Sequence, residues 1–379
     1  MRSIAWEEFW WNNITGARTV VEDVSLALQE NKSVILLVPS DLPWRHTMRG
    51  AIQAAIDVRT ESKDILIEAI DAVDNMLPDE RPGRFILRQF SPSNSIRTGY
   101  REKARKSIQD YIVEHQVLKN RILWVKGMDE KAAQSWVEFC QGYSSFSAQN
   151  GLFVLETHAK LNMPDSKTIR VIDCVKRLSD YDVQQFNSLI LDENPNLSST
   201  WKRYISTSAA VVCRIDAEVS ELLLRLVDYR SETAVDGLQK VHEMGDFDRR
   251  GTEPSSNHPL WHYRNHNTAE LLHRIWTAQI QVLFPIIELE RQNIIEKYQD
   301  LIKAALENYS IPQYGEVLSN PMEVELGTLC YMMSSGGSYQ KLSIPDSTDR
   351  ERIRFLHNCR NKLAHMDCCS PAEITRLLG

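Results

Sequence analysis

The sequence predicts a three-layer α/β domain built around a mostly parallel sheet, followed by an all-helical unit. Three observations carry that expectation. Short β-rich runs alternate with helical periodicity from Val20 to about Asn194, as strands and crossover helices do. Beyond that point the β-rich runs end, and from Leu271 onward apolar residues recur at the period of amphipathic helices. The chain has 379 residues, more than a single hydrophobic core sustains, since such cores stop growing near about 250 to 300 residues.

The expected strands are Ser33 to Val38, Arg84 to Leu87, Arg121 to Val125, Gly151 to Glu156 and Thr168 to Ile172. Their near-continuous apolar character suits strands covered on both faces. Between them, helices are expected at Val20 to Gln29, Ile52 to Ile56, Tyr100 to Gln116 and Glu130 to Tyr143. Asp192 to Asn196, with Pro195 inside it, breaks the pattern, and Trp201 to Asp228 then reads as one helix. A polar stretch with glycine and proline from Gly245 to Pro259 reads as a linker or long loop. These breaks place an α/β domain at 1–194, a helical extension and linker at 195–260, and a helical domain at 261–379. In the last, the periodic run from Leu271 to Ala305 contains Pro285, which should kink or divide it. Further helices follow at Val324 to Met333, Arg350 to His365 and Ala372 to Leu378, the last started by Ser370 as N-cap and Pro371 at the first helical position.

Composition narrows the classes of function. Lysine and arginine total 44 against 51 aspartate and glutamate, a net charge of −7, which argues against coating nucleic acid by bulk positive charge and leaves only a local basic cleft. Acidic Glu7 and Glu8 interrupt the N-terminal stretch, and no run approaches the ~20 apolar residues of a membrane span. A cytoplasmic protein with no membrane partner is expected. The seven cysteines, Cys140, Cys174, Cys213, Cys330, Cys359, Cys368 and Cys369, form no C-x-x-C pair, so reduced structural thiols are expected and no metal site.

The first expected strand runs out at Val38-Pro39 into Ser40-Asp41-Leu42-Pro43-Trp44-Arg45-His46-Thr47 and then a helical stretch. A working phosphate loop, G-x-x-x-x-G-K-[ST], uses glycines so that backbone N–H groups approach the phosphates, a lysine to neutralise them and a hydroxyl to hold magnesium. On that register Ser40 and Arg45 replace the glycines, His46 replaces the lysine, and only Thr47 is retained. With Phe9-Trp10-Trp11, Ile14-Thr15-Gly16 and a helix leading into the strand, the segment resembles an AAA+ or STAND-type P-loop NTPase domain. That resemblance implies an acidic pair closing the third core strand. Here Ile122 to Val125 runs into Lys126, and Asp129-Glu130 come late. Val171 to Asp182, with Arg177-Leu178-Ser179-Asp180-Tyr181-Asp182, resembles the segment that leads such domains into their helical lid. The expectation is a degenerate P-loop-like domain without hydrolysis and with no required cofactor, binding a nucleotide or other anion at most weakly through Arg45 and His46.

Near the C-terminus, Asp349 to His365 reads DRERIRFLHNCRNKLAH, with Ile353, Leu356, Cys359 and Leu363 as an apolar stripe. Its Arg360-Asn361-Lys362-Leu363-Ala364-His365 resembles the R-x4-6-H motif of HEPN domains in the R-N-x-x-x-H form, and Glu323 to Gly327 resembles the helix preceding it. Arg352 and His357 satisfy the same spacing without the asparagine and serve as an internal control. Five residues along a helix turn the side chains by roughly 140° and separate them by about 7.5 Å, whereas Asn361 and His365 share a face. The resemblance implies two motifs meeting across a homodimer, where the 2′-hydroxyl of RNA attacks its own phosphate without a metal. His365 would act as general acid or base, since imidazole exchanges protons near neutral pH. Arg360 would stabilise charge on the phosphate, and Asn361 would hold the histidine and backbone in place.

Together these resemblances imply a HEPN-type effector or sensor of a prokaryotic antiviral defence system, with RNA and a defence-system protein as partners. Two alternatives stand beside it. One is a non-catalytic HEPN-like dimerisation or scaffold subunit; the other is a CARF plus HEPN CRISPR-associated ribonuclease.

Overall fold

The computed structural model describes residues 5–59, 65–101, 106–143, 150–158, 165–334 and 341–379. Part of the helix expected from Tyr100 to Gln116, residues 102–105, lies outside them. The elements run α1 (Trp6–Asn13), α2 (Thr15–Gln29), β1 (Ser33–Leu37), α3 (Arg45–Arg59), β2 (Leu66–Asp71), α4 (Ala72–Asn75), α5 (Pro82–Phe90), α6 (Asn94–Gly99), α7 (Ile108–Glu114), β3 (Arg121–Lys126), α8 (Glu130–Gly142), β4 (Leu152–Thr157), β5 (Ile169–Asp173), α9 (Cys174–Arg177) and α10 (Asp180–Asp192). There follow α11 (Ser199–Cys213), α12 (Ala217–Leu226), α13 (Ala234–Met244), α14 (Pro259–Arg264), α15 (Thr268–Lys297), α16 (Gln299–Asn308), the hairpin β6 (Pro312–Gln313) and β7 (Glu316–Val317), α17 (Leu326–Met333), α18 (Ser347–Ala364) and α19 (Pro371–Leu378).

The first unit comprises Met1–Phe186, Ile215–Glu218 and Gly251–Ser255. Its five-stranded sheet has the order β2-β3-β4-β1-β5, and every pairing is parallel. The strand Ser33-Val-Ile-Leu-Leu is buried on both faces because α1, α2 and α3 pack on one side and α5, α7 and α8 on the other. One strand expectation is corrected, and one strand lies where none is expected. Arg84 to Leu87 lies in helix α5, where Pro82 starts the helix at N1 and places Phe85 edge-on against Trp136 of α8, with ring centroids 6.2 Å apart. The strand in its stead is β2, an edge strand whose half-exposed Leu-Ile-Glu-Ala-Ile-Asp lacks the continuous apolar signal.

At the N-terminus of α2, the N–H of Gly16 donates to the buried carboxylate of Asp182 at 2.9 Å, and Asp182 also accepts the N–H and hydroxyl of Ser179. Only glycine fits there, since a Cβ would lie 2.6 Å from the carbonyl oxygen of Arg177. Two sequence motifs 166 residues apart thus form one joint.

The second unit comprises Asn187–Arg214, Val219–Arg250 and Ser256–Gly379, and is helical apart from the β6–β7 hairpin. The helix expected from Trp201 to Asp228 is divided at Arg214, whose φ of 58° ends α11. Pro285, by contrast, does not divide α15, which continues to Lys297 and ends before Tyr298. Ser370 caps α19 by accepting the Glu373 N–H while Glu373 returns to the Ser370 N–H, a complete capping box. Among the described residues no helix is long and apolar enough to cross a membrane.

Candidate functional site

The loop between β1 and α3 is filled by the protein's own side chains. Trp44 adopts a left-handed φ of 42°, its N–H donates to Glu218 Oε2 at 3.0 Å, and its carbonyl accepts the Trp11 indole at 3.1 Å. A carboxylate therefore takes a backbone donor at the start of α3, where a phosphate loop offers such groups to a phosphate. Asp41 accepts the Ser40 hydroxyl at 3.1 Å and the Ser255 N–H at 2.9 Å, and it also pairs with the Ser255 hydroxyl. Arg45 turns back to the Pro39 carbonyl at 2.8 Å, Thr47 donates its hydroxyl to Glu7 at 3.0 Å, and His46 is exposed. Ser40 lies in the loop and Arg45, His46 and Thr47 in the first turn of α3, and the bonded side chains go to separate partners. Asp129 is used as the N-cap of α8, accepting from Ala132, and Lys126 pairs with Asp71 at 3.1 Å.

Beneath α3 lies a buried charge cluster that the sequence pattern did not flag. Glu156 on β4, only 6% exposed, accepts both Nε and Nη2 of Arg49 at 3.0 and 2.8 Å, and the Trp124 indole of β3 at 3.0 Å. Burial works against the ionised carboxylate, but the Arg49 hydrogen bonds and charge, with the indole, hold it below the ordinary glutamate range. The fork geometry makes this pair bidentate. Glu156 looks like a strand residue in sequence, and its only available signal is a charge inside an apolar run.

In the second unit, α18 buries Ile353, Leu356, Cys359 and Leu363. The remaining face carries Arg350, Arg354, His357, Asn361 and His365, a single stripe at helical spacing. Arg360, at its flank, reaches Glu325 Oε2 at 3.4 Å with half-exposed side chains on both sides. Glu325 lies just before α17, and its other oxygen accepts the Tyr314 hydroxyl at 2.8 Å. Asn361 Nδ2 lies 3.0 Å from His357 Nε2, one turn toward the N-terminus, rather than bonding His365. His357 packs over Gly327, where a Cβ would come within 3.3 Å of its Nε2. Burial, then the Arg360 charge, depresses the His357 pKa. Its neutral ring accepts the amide hydrogen at Nε2, which assigns the proton to Nδ1.

His365 is the C-cap of α18. Met366 follows at φ 60°, its N–H reaching Leu363 O at 3.4 Å, and Asp367 N–H reaches Lys362 O at 2.9 Å. That pair of bonds is a Schellman motif with a non-glycine residue at C′. The Leu363 carbonyl also accepts the Trp276 indole from α15 at 2.7 Å, so the end of the helix is fixed while the His365 side chain stays exposed. The structure therefore brings Arg360 and Asn361 together with Glu325, Tyr314 and His357, and places His365 at the solvent-exposed end of the same stripe. His357 and Glu325 were the partners hardest to foresee, although the i,i+4 spacing of His357 and Asn361 was visible.

Among the described residues, no group of three or more His, Cys, Asp and Glu side chains is arranged to hold a metal ion.

No family model matches the chain, and no curated protein matches it. Among solved structures, the Aeropyrum pernix ORC2 protein in its ADP form aligns over 94% of each chain at 12% identity, with a TM-score of 0.29. At that level of similarity it bears on no residue of this chain.

Proposed function

We propose that the helical unit is a HEPN-type ribonuclease module of an antiviral defence effector, cutting RNA without a metal as a twofold homodimer, and that a degenerate P-loop-like domain controls it. The observation that carries this reading is that Arg360 and Asn361 are half-buried outside the buried stripe of α18, and that His365 is exposed at the end of the same helix. In the reaction the RNA 2′-oxygen loses its proton and bonds to the adjacent phosphorus, while the 5′-oxygen leaves and is protonated. His365 moves one of those protons, and the same residue of a second copy moves the other. Arg360 has five N–H donors and commits one of them weakly to Glu325, leaving others for the phosphate oxygens as charge builds there.

The loop before α3 supports a non-hydrolytic role for the first unit, since Glu218, Glu7 and Asp41 occupy its polar groups. The strand order β2-β3-β4-β1-β5 is neither of the common doubly wound orders, 3-2-1-4-5-6 and 2-1-3-4-5, and this weighs against the CARF alternative. One observation favours the scaffold reading: the Asn361 side chain bonds the His357 ring and not the His365 ring.

The test is cleavage of single-stranded RNA in EDTA by the full chain, assayed alone and within its complex purified from the native host. Metal-independent products with 2′,3′-cyclic phosphate ends, lost in His365→Ala and Arg360→Ala, would support the ribonuclease. An activated complex that cuts equally well with His365 replaced would move this unit to a structural role.

A further inference from the structure

We infer that Tyr314 is a stacking platform for a base of the bound RNA, placed beside the phosphate contact of Arg360 by the shared carboxylate of Glu325; the inference rests on the ribonuclease reading above. Four observations converge on this residue. Tyr314 and Gly315 form the two-residue turn of the β6–β7 hairpin, with φ of 52° and 87°. Such turns favour asparagine, aspartate or glycine at both positions, and an aromatic side chain in the left-handed region is an outlier. The strain gains no burial, because Tyr314 is 81% exposed. Strained residues held in place by their surroundings cluster where function needs them.

The surroundings do hold it. Gln313, next to Tyr314, accepts the Glu325 N–H at 3.2 Å and the Thr328 hydroxyl at 2.7 Å, and donates to the Glu323 carbonyl at 2.9 Å. This docks the hairpin on the start of α17 through polar bonds, while Val317 of β7 stays exposed. The Tyr314 hydroxyl is pinned at 2.8 Å by Glu325 Oε1, and Glu325 Oε2 faces Arg360. One carboxylate thus links an aromatic face to a guanidinium, with the exposed Arg354 further along the α18 stripe, while Arg350 turns back to the Ile344 and Pro345 carbonyls. An aromatic face beside a track of cations is the arrangement that binds single-stranded nucleic acid: the base stacks, the phosphate pairs, and the sequence matters little. Glu325 is here a positioning residue.

The experiment measures binding and cleavage separately on the full-length protein. The probe is a fluorescein-labelled 12-nucleotide single-stranded RNA, titrated by anisotropy at low and moderate salt, with cleavage of the same RNA followed by gel. Tyr314→Ala should weaken binding about tenfold, within the range of one lost base stack. Tyr314→Phe, which keeps the ring but loses its bond to Glu325, should retain more affinity than Tyr314→Ala and less than the native protein. Glu325→Ala, which frees both the ring and Arg360, should weaken binding and lower cleavage further than binding. Unchanged RNA affinity in Tyr314→Ala would overturn the inference even if His365-dependent cleavage persists. Loss of binding in Tyr314→Ala, together with a change from dimer to monomer by light scattering, would also overturn it and make the hairpin a contact between copies. Failure of the ribonuclease reading looks different: RNA binding that depends on Tyr314 with no His365-dependent cut in the activated complex.

Discussion

Asn361 Nδ2 and His357 Nε2 lie 3.0 Å apart on the half-buried side of α18, so the side chain of the asparagine in the Arg360-Asn361-x-x-x-His365 motif is oriented by a histidine one turn before it rather than by the histidine of the motif. A residue that serves as an internal control in the sequence thereby becomes a supporting partner. His365→Ala should lower metal-independent cleavage by about 10²-fold or more, the usual worth of a general acid or base. His357→Ala should lower it by no more than about tenfold, the value of one neutral hydrogen bond. Because burial and Arg360 keep the His357 ring neutral below its ordinary pKa, acid should break the pair only below about pH 6.5. Relaxation or chemical-shift titration of the Asn361 side-chain amide in labelled protein would follow that step, and equal losses in the two variants would refute this division of labour.

The Arg49–Glu156 pair should be visible in stability. Arg49→Met leaves a carboxylate buried without its fork and should destabilise the first unit by about 3 kcal/mol, whereas a double change to Arg49→Met with Glu156→Gln should recover part of that loss. The sign with pH follows from the lowered Glu156 pKa. The pair contributes fully above the ordinary glutamate value of 4.5, and its contribution is lost as pH falls through the depressed value of the folded protein. Urea midpoints taken from pH 7 down to pH 3 should therefore fall more steeply for the native sequence than for Glu156→Gln, and parallel curves would count against it.

Nucleotides should not stabilise the loop before α3. Millimolar ATP or ADP with magnesium should leave the thermal midpoint unshifted, because anything that bound the folded state alone would raise it. Thr47→Ala and Asp129→Asn should leave phosphate release at background. Asp129→Asn should also leave stability within about 0.5 kcal/mol, since asparagine caps a helix nearly as well as aspartate. Phosphate release above background that either substitution abolishes would show that the loop holds magnesium-ATP after all.

Met366→Gly should stabilise the second unit by about 1 kcal/mol. Met366 stands at the left-handed C′ position of the α18 Schellman motif, φ 60°, where glycine carries no Cβ penalty. RNA cleavage should be unchanged, since the bonds from Asp367 and Met366 to the last turn do not depend on the side chain. A lowered midpoint in denaturant melts would mean that the exposed methionine is held by a contact formed only in an assembly.

The sequence by itself determined the alternation that builds the parallel sheet: β1, β3 and β4 lie where apolar runs are long enough to be covered on both faces, and the edge strand β5 where β-branched Ile169, Val171 and Ile172 cluster. It also determined where capping residues such as Ser370 and Pro371 start a helix, because that chemistry is local. Strand β2 is illegible because Glu68 and Asp71 interrupt its apolar residues and most of it is half-buried or exposed, and Arg84-Phe85-Ile86-Leu87 of α5 satisfies a strand pattern until Pro82 and Trp136 decide otherwise. The motif Arg360-Asn361-x-x-x-His365 was readable as spacing along one helix. Its hydrogen-bond partner beyond that helix was not, since Glu325 reaches Arg360 from the N-cap of α17 and is itself held by Tyr314 of a hairpin that only the packed helical unit positions. The same holds at Trp44 and Glu218, 174 residues apart, where the tertiary fold places a carboxylate on the loop's backbone N–H. Local propensity fixes most of the helices and strands, but the state of a segment such as Arg84 to Leu87 and the pairing of two distant polar groups are settled by the packing that carries their backbones together.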